Sequence, residues 1–153
     1  MNNNFVTRKI ISNDISEISK LIIRNLKEIN SKDYDAETIK SLIEDYNFEG
    51  IKKRIKEGEI IVIEKNNLIV GTGRFFNGKI FDVFVLPEFH GKGIGKKIMK
   101  ELESIAKKER YKKVSLPASL TAINFYKKLG YSFDKNLNEE SKSSYWMSKD
   151  LGD

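Results

Sequence analysis

Residues 90 to 97 read His90-Gly91-Lys92-Gly93-Ile94-Gly95-Lys96-Lys97, just after an apolar run, Ile80-Phe81-Asp82-Val83-Phe84-Val85, that Pro87 closes. Three glycines on alternate positions carry no Cβ, so successive backbone N–H groups can turn to one side. From Gly93 to Arg110 the residues Ile94, Ile98, Leu102 and Ile105 recur at helical spacing, with lysines pointing outward. A helix opening on such a loop carries about half a positive charge at its N-terminus, which suits a pyrophosphate.

Two familiar phosphate loops do not fit these residues. A Gly-x-x-x-x-Gly-Lys-Ser/Thr loop counted back from Gly95-Lys96 places His90 at the first glycine and Lys97 at the hydroxyl. A Gly-x-Gly-x-x-Gly dinucleotide loop starting at Gly91 and Gly93 meets Lys96 where the third glycine must let helix and strand pack. It would also follow a strand of an antiparallel hairpin, the wrong context.

Working outward, the runs 59 to 65, 68 to 76 and 79 to 85 are apolar and β-branched, separated by Asn66-Asn67 and Asn77-Gly78. Such pairs accept φ > 0 at both turn positions, so the three runs read as an antiparallel meander. Upstream, 5 to 11 reads as a strand. Asp14 and Glu17 have capping-box spacing before a helix carrying Ile15, Ile18, Ile22, Leu26 and Ile29, and a second helix follows Asp35. Phe48, Ile51 and Ile55 mark a short third segment, and a polar loop, 31 to 35, holds Tyr34. Downstream, 112 to 116 reads as a strand ended by Pro117, and Ser119 as the cap of a helix stopping at Gly130. A final strand pair, 131 to 134 and 144 to 150, flanks the polar loop 135 to 143. The order β-αα-βββ-α-β-α-ββ predicts a mixed, mostly antiparallel sheet with helices on both faces, an α/β or α+β class.

Composition narrows the chemistry. The 153 residues are 39% hydrophobic, enough for one core, and no linker or repeat divides 1 to 153, so a single domain is expected. Without cysteine there is no thiol nucleophile, thiolate metal site or disulfide. His90, the one histidine, leaves neither a histidine metal cluster nor an easily built Ser/His/Asp triad, so no metal is expected. No apolar run reaches the roughly 18 residues of a spanning helix, and residues 1 to 9 lack a signal-peptide core, so a cytoplasmic, non-membrane protein is expected. A net charge of +6 attracts anions, but lysine is spread along the whole chain, as on a solvated surface.

A second motif joins the first. Ala122-x-x-Phe125-Tyr126-x-x-x-Gly130-Tyr131, read with His90-Gly91-Lys92-Gly93-Ile94-Gly95, resembles the GNAT superfamily of acetyl-CoA-dependent N-acetyltransferases. That family's acyl-CoA loop is Arg/Gln-x-x-Gly-x-Gly/Ala, and a later helix often carries Ala-x-x-Phe-Tyr-x-x-x-Gly-Phe. The element order is also similar, from Phe5 to the end. The resemblance implies acetyl-CoA as co-substrate, with the backbone of Phe84 and Val85 pairing with the pantetheine amides. It implies N–H groups from Gly91 through Lys92, Gly93, Ile94 and Gly95 to Lys96 around the pyrophosphate, and Tyr126 near the thioester sulfur. Two residues depart from the pattern: His90 replaces Arg or Gln, and Ser119 stands where many members carry Asn.

With no cysteine and no Gly-x-Ser-x-Gly elbow, direct attack by a bound primary amine is simpler than an acyl-enzyme. The amine must be neutral, the carbonyl oxygen gains charge, and the departing thiolate needs a proton. A backbone N–H near Val85 serves the oxygen in this scheme, and Tyr126 the thiolate. Asp82 is the one carboxylate on the strand leading into the loop and the candidate base, although alternation leaves its face open. Tyr34, Tyr46, Phe75 and Phe76 are candidates for an acceptor pocket, with core packing as the alternative for each.

The acceptor is expected to be a small-molecule or peptide amine, and the protein a monomer or homodimer. Two rival readings remain. One is an acyl-CoA binder without catalysis. The other is a basic nucleic-acid-binding module built on Lys96, Lys97, Lys100, Lys107, Lys108, Lys112 and Lys113. No RNA-recognition or zinc-finger pattern accompanies those lysines, so specific nucleic-acid binding is not expected.

Overall fold

The computed structural model describes residues 4 to 140 and 145 to 152. The chain runs β1 (Phe5–Lys9), α1 (Ile15–Glu28), α2 (Ala36–Asp45), α3 (Phe48–Ile55), β2 (Glu59–Lys65), β3 (Leu68–Phe76), β4 (Lys79–Val85), α4 (Ile94–Lys108), β5 (Lys113–Ala118), α5 (Ile123–Lys128), β6 (Ser132–Phe133), α6 (Lys135–Glu140) and β7 (Tyr145–Asp150). Among the described residues, seven strands form one sheet in the order β1-β2-β3-β4-β5-β7-β6. Every pairing is antiparallel except β4 with β5. The expected mixed, mostly antiparallel sheet is the one found.

The meander forms for the reason its turns gave. Asn66, Asn67, Asn77 and Gly78 all have positive φ (50°, 67°, 50° and 78°), matching the right-handed twist of the strands they join. On β3, Gly71 and Gly73 face α4: a Cβ at either would lie within 3.0 Å of the side chains of Ile94, Ile98 or Leu102. Missing side chains let the helix settle on the sheet, where Ile98 and Leu102 are fully buried. Arg74, of opposite parity on β3, reaches the other face and binds the Glu57 carbonyl just after α3, at 2.8 Å. Helices α1 and α3 pack together on that side, with Ile18, Ile22 and Ile51 each 1% exposed.

Several local expectations are corrected. The first strand stops at Lys9, and the third apolar segment is a full helix, with Phe48 turned outward at 48% exposure. Asp14 and Glu17 do not build a capping box. Asp14 is drawn to Arg8, at 2.8 and 3.0 Å, and to the Ile11 N–H, while Glu17 accepts from the Ile69 N–H at 2.7 Å. Ser119 makes no side-chain cap, and Asp33 instead accepts from the Thr121 N–H (3.1 Å) and hydroxyl (2.9 Å). The polar loop begins as α6, started by Asp134, which accepts from the Leu137 N–H. Residues 141 to 143 of that loop, and Ser144 at the expected strand start, lie outside the described residues.

Pro117 does not end β5, which runs on to Ala118 with Pro117 opposite Trp146 of β7. The Ser115 N–H donates to the Gly78 carbonyl on the β4 side, so the nitrogen of Pro117, two residues on, points the same way. By then β4 has diverged, and the missing N–H costs no bond. What Pro117 ends is the ladder with β4. Among the described residues, no helix is long and apolar enough to cross a membrane.

Candidate active site

Two local features open a cleft between β4 and β5. Their parallel pairing consists of Lys79 with Ser115, and Pro117 has no donor to extend it. On the β3 side of β4, Thr72 pairs with Phe84 and Arg74 with Phe81, so Asp82 and Val83 together stand opposite Gly73. This is a β-bulge, with Asp82 at φ 59° in the left-handed region. The bulge bends β4 away while the proline leaves the gap unbridged.

Past the bulge, the edge of β4 faces the gap. The Leu86 N–H bonds the Val70 carbonyl at 2.9 Å, so the ladder alternation turns the N–H and C=O of Val85 to the opposite side. His90 approaches there, with Nε2 2.8 Å from the Val85 carbonyl. Its ring is thus turned back onto β4, which gives this exposed histidine a positioning contact within the chain.

The loop after β4 has the geometry of an open cradle. Gly91 and Gly93 have φ of 77° and 82°, and a Cβ at either would meet no atom within 4 Å. Gly93 is the N-cap of α4, and the first helical bond runs from the Lys97 N–H to the Gly93 carbonyl, 3.1 Å. The N–H groups of Ile94, Gly95 and Lys96 therefore have no acceptor within the helix. Helices α1, α2 and α3 each carry a glutamate in the first turn, whereas α4 carries no acid there and has Lys96 at its third position. That charge opposes the helix dipole and favours an anion at the loop. Lys92 leans over Phe89, Nζ to ring centre 5.2 Å. Ile94 is buried, and Gly95 serves packing: a Cβ there would stand 3.0 Å from Cζ of Phe125.

Within the cleft is a cavity of about 210 Å³ whose lining includes Asp82, Phe84, Ser119 and Tyr126, together with Tyr34 and Tyr46. Expected site residues from three separate stretches meet here. Tyr126 is 8% exposed and packs edge-to-face on Phe125 (5.1 Å) and Tyr131 (5.8 Å). Tyr131 is held in turn by its bond to Glu103, 2.7 Å, which Lys149 also reaches at 3.0 Å. Burial pushes the Tyr126 phenol above its ordinary value, so it keeps its proton well past neutral pH.

Asp82 is more engaged than its place on the strand foretold. Its Oδ1 accepts from the Tyr46 hydroxyl at 2.5 Å, and its Oδ2 meets Arg74 Nε at 2.8 Å and Arg54 Nε at 3.4 Å. Arg54 also lies over the Tyr46 ring, 4.1 Å from its centre, and Phe84 packs edge-to-face on that ring at 5.8 Å. Neither arginine was a candidate from sequence, because no local pattern brings α3 and β3 to one carboxylate. Leu26 and Asn30, from the end of α1 and the turn after it, line the cavity too. Phe75 is core, 2% exposed against Tyr111, and Phe76 does not line the cavity. Among the described residues, no group of three or more histidine, aspartate or glutamate side chains is placed to hold a metal ion.

The fold has known counterparts. The chain resembles in fold the PaiA N-acetyltransferase of Thermoplasma acidophilum, solved in complex with coenzyme A, with TM-score 0.83 at 21% identity over 98% of this chain and 99% of that one. It is also similar to yncA of Salmonella typhimurium, solved with its cofactor acetyl-CoA, with TM-score 0.69 at 15% identity over 99% and 96%. In sequence, the ycf52 protein of Porphyra purpurea, an uncharacterized N-acetyltransferase, is 32% identical over 106 residues, 63% of this chain. The match spans 59% of that relative's length. The family model for the acetyltransferase (GNAT) domain matches residues 30 to 147, from the end of the first helix to the last strand. A bulged β4, a splayed β5 and a glycine loop opening α4 thus stand within a matched domain, and the chain belongs to the GNAT acetyltransferase family.

Proposed function

We propose that this protein transfers an acetyl group from acetyl-CoA to a primary amine by direct attack, both substrates being bound together. The observation that carries the reading is that Tyr126 lines one cavity with Asp82 and Phe84 of β4, while the open glycine loop that follows β4 leads into Gly95, packed on Phe125 beside Tyr126. The residues fit the co-substrate. Gly91 and Gly93 leave room for phosphates, the N–H groups up to Lys96 are available to them, and Val85 offers backbone to a pantetheine chain, while Phe84 turns its backbone to Thr72 of β3 and lines the cavity. Acetyl-CoA supplies an acetyl group already activated as a thioester.

The chain's own groups do the rest. The Val85 N–H faces the gap, where it stabilises negative charge growing on a carbonyl oxygen. Tyr126 gives its proton to the departing sulfur, a task suited to a buried phenol that is still protonated at neutral pH. Asp82 is the base, and its link to Tyr46 defines how it reaches the amine. Ser119 borders the cavity near Tyr126, and His90 steadies the end of β4 through the Val85 carbonyl.

The test is release of coenzyme A thiol from acetyl-CoA across spermidine, L-lysine, tyramine and a tetrapeptide with a free N-terminus, with calorimetry of coenzyme A binding beside it. Amine-dependent thiol release supports the reading. Tight coenzyme A binding with no release for any amine would favour a binder without catalysis. Weak, salt-sensitive binding to nucleic acid of any sequence is the expected behaviour of the scattered lysines, and tight sequence-selective binding would overturn the assignment.

A further inference from the structure

The cavity presents two tyrosines whose hydrogen-bonding polarity is opposite. In the contact between Tyr46 and Asp82 the phenol is the donor, because a carboxylate held between Arg74 and Arg54 has only lone pairs to give. A phenol has one proton. With that proton spent on Asp82, the Tyr46 oxygen can only accept. Tyr126 differs: it lines the cavity, its oxygen is not sealed away without a partner, and burial with no hydrogen bond sets its pKa, so among the described residues its proton is free for the cavity.

From this contrast we infer that Tyr46 receives the acceptor amine, presenting its oxygen to an N–H of the ammonium while Asp82 holds the phenolic proton. The inference rests on the acetyl-transfer reading above and gives Asp82 a defined route of action. As the amine is made ready, an ammonium proton passes to Tyr46 Oη and the phenolic proton passes to Asp82 Oδ1. This frees the nitrogen lone pair and the N–C bond forms; as the C–S bond breaks, Tyr126 gives its proton to sulfur and the acylated nitrogen releases its second proton to solvent, leaving a neutral amide. Asp82 returns its proton through Tyr46 to solvent, and Tyr126 regains one from solvent. Protons thus leave the nitrogen at one tyrosine and reach the sulfur at the other.

The surroundings of Tyr46 suit an acceptor and not a phenolate. Burial above all raises its pKa, Asp82 on β4 adds to this, and Arg54 on α3 and Arg74 on β3 pull the other way and do not prevail. Tyr46 therefore stays a neutral relay at working pH. Asp82 acts through it, as a positioning group and proton store.

The test compares two small amines with acetyl-CoA at saturating concentration: ethylamine, an ammonium ion at neutral pH, and methoxyamine, which is neutral there. Tyr46→Phe should lower kcat/KM for ethylamine by about 10²-fold and spare methoxyamine within about threefold, because only the first needs a proton removed before attack. Coenzyme A affinity should not change. Asp82→Asn should shift the ratio between the amines the same way, and the double variant should be no worse than either single one. Equal losses on both amines, or none, would overturn the relay. An ultraviolet difference titration judges the proton commitment without turnover: Asp82→Asn should bring the Tyr46 phenolate transition, identified by its absence in Tyr46→Phe, to lower pH. An unmoved transition overturns it. Wild-type protein that acetylates neither amine sinks the transferase reading itself, while the titration still decides the polarity of Tyr46.

Discussion

Gly95 and Phe125, thirty positions apart, meet face to face: a Cβ on Gly95 would lie 3.0 Å from Cζ and 3.3 Å from Cε1 of the Phe125 ring. This contact ties the first turn of α4 to α5, so the loop proposed for the pyrophosphate and the helix bearing Tyr126 cannot shift independently. Gly95→Ala gains helix propensity but forces the ring to move. Overpacking costs about 1–3 kcal/mol and outweighs the gain of less than about 1 kcal/mol. The variant should melt lower and turn over more slowly. Adding Phe125→Leu should restore much of the thermal midpoint, and a double variant as unstable as the single one would refute the contact.

Gly93 is constrained differently. Space around it is open, so Gly93→Ala costs only the left-handed backbone penalty, about 1–2 kcal/mol. Gly93→Asp shares that penalty and adds a negative charge at the loop. Calorimetry should show coenzyme A binding at least about tenfold weaker for the aspartate than for the alanine variant. Matching affinities would move the pyrophosphate elsewhere.

Tyr126→Phe keeps the ring, and with it the packing on Phe125 and Tyr131. Stability and coenzyme A affinity should hold while the single-turnover rate falls by about 10²-fold, the low end for acid catalysis because a thiolate leaves readily. An affinity loss equal to the rate loss would instead assign Tyr126 to binding.

Asp82→Ala removes the partner of two guanidinium groups. The Arg74 side chain is 10% exposed, and a buried charge left without its partner costs about 3–5 kcal/mol. Urea denaturation should show a loss of that order, larger than for Asp82→Asn, which keeps an oxygen for Tyr46 or Arg74. Equal stability for Asp82→Ala and wild type would show that the cluster adds nothing to the fold.

Stability should depend on acid through Asp14 and Asp134. The bond from Arg8 is the main force holding the Asp14 carboxyl below its ordinary value, and Ser148, the Leu137 N–H and Lys113 do the same for Asp134. A carboxyl with a folded pKa below its unfolded one contributes fully above the unfolded value, about 4, and loses that contribution as pH falls through the folded value. Denaturation midpoints should stay level near neutrality and drop below about pH 4. Asp14→Asn should flatten that drop, and an unchanged profile would remove Asp14 as a cause.

Much of this was legible along the chain. Asn-Gly and Asn-Asn turns, β-branched runs and a 3.6-residue apolar period are local signals, and they located the meander and α4 because they act over a few residues. The glycine loop and the Phe125-Tyr126 pair were readable as motifs for the same reason. Pro117 misled because its effect depends on which strand lies beside it: the break falls on the β4 ladder and not on β5 itself.

By itself, then, the sequence determined the meander and its turns, the helix that opens on Gly93, and the absence of any cysteine nucleophile. Tertiary structure alone decided which face Asp82 presents, because a one-residue bulge reverses strand alternation and is invisible to a period-two pattern. It alone brought Arg54, Arg74 and Tyr46 to that carboxylate, since their meeting depends on how α3 packs against β3. Whether a tyrosine gives or takes a proton is a property of its partner, and the partner of Tyr46 lies 36 residues away in the chain.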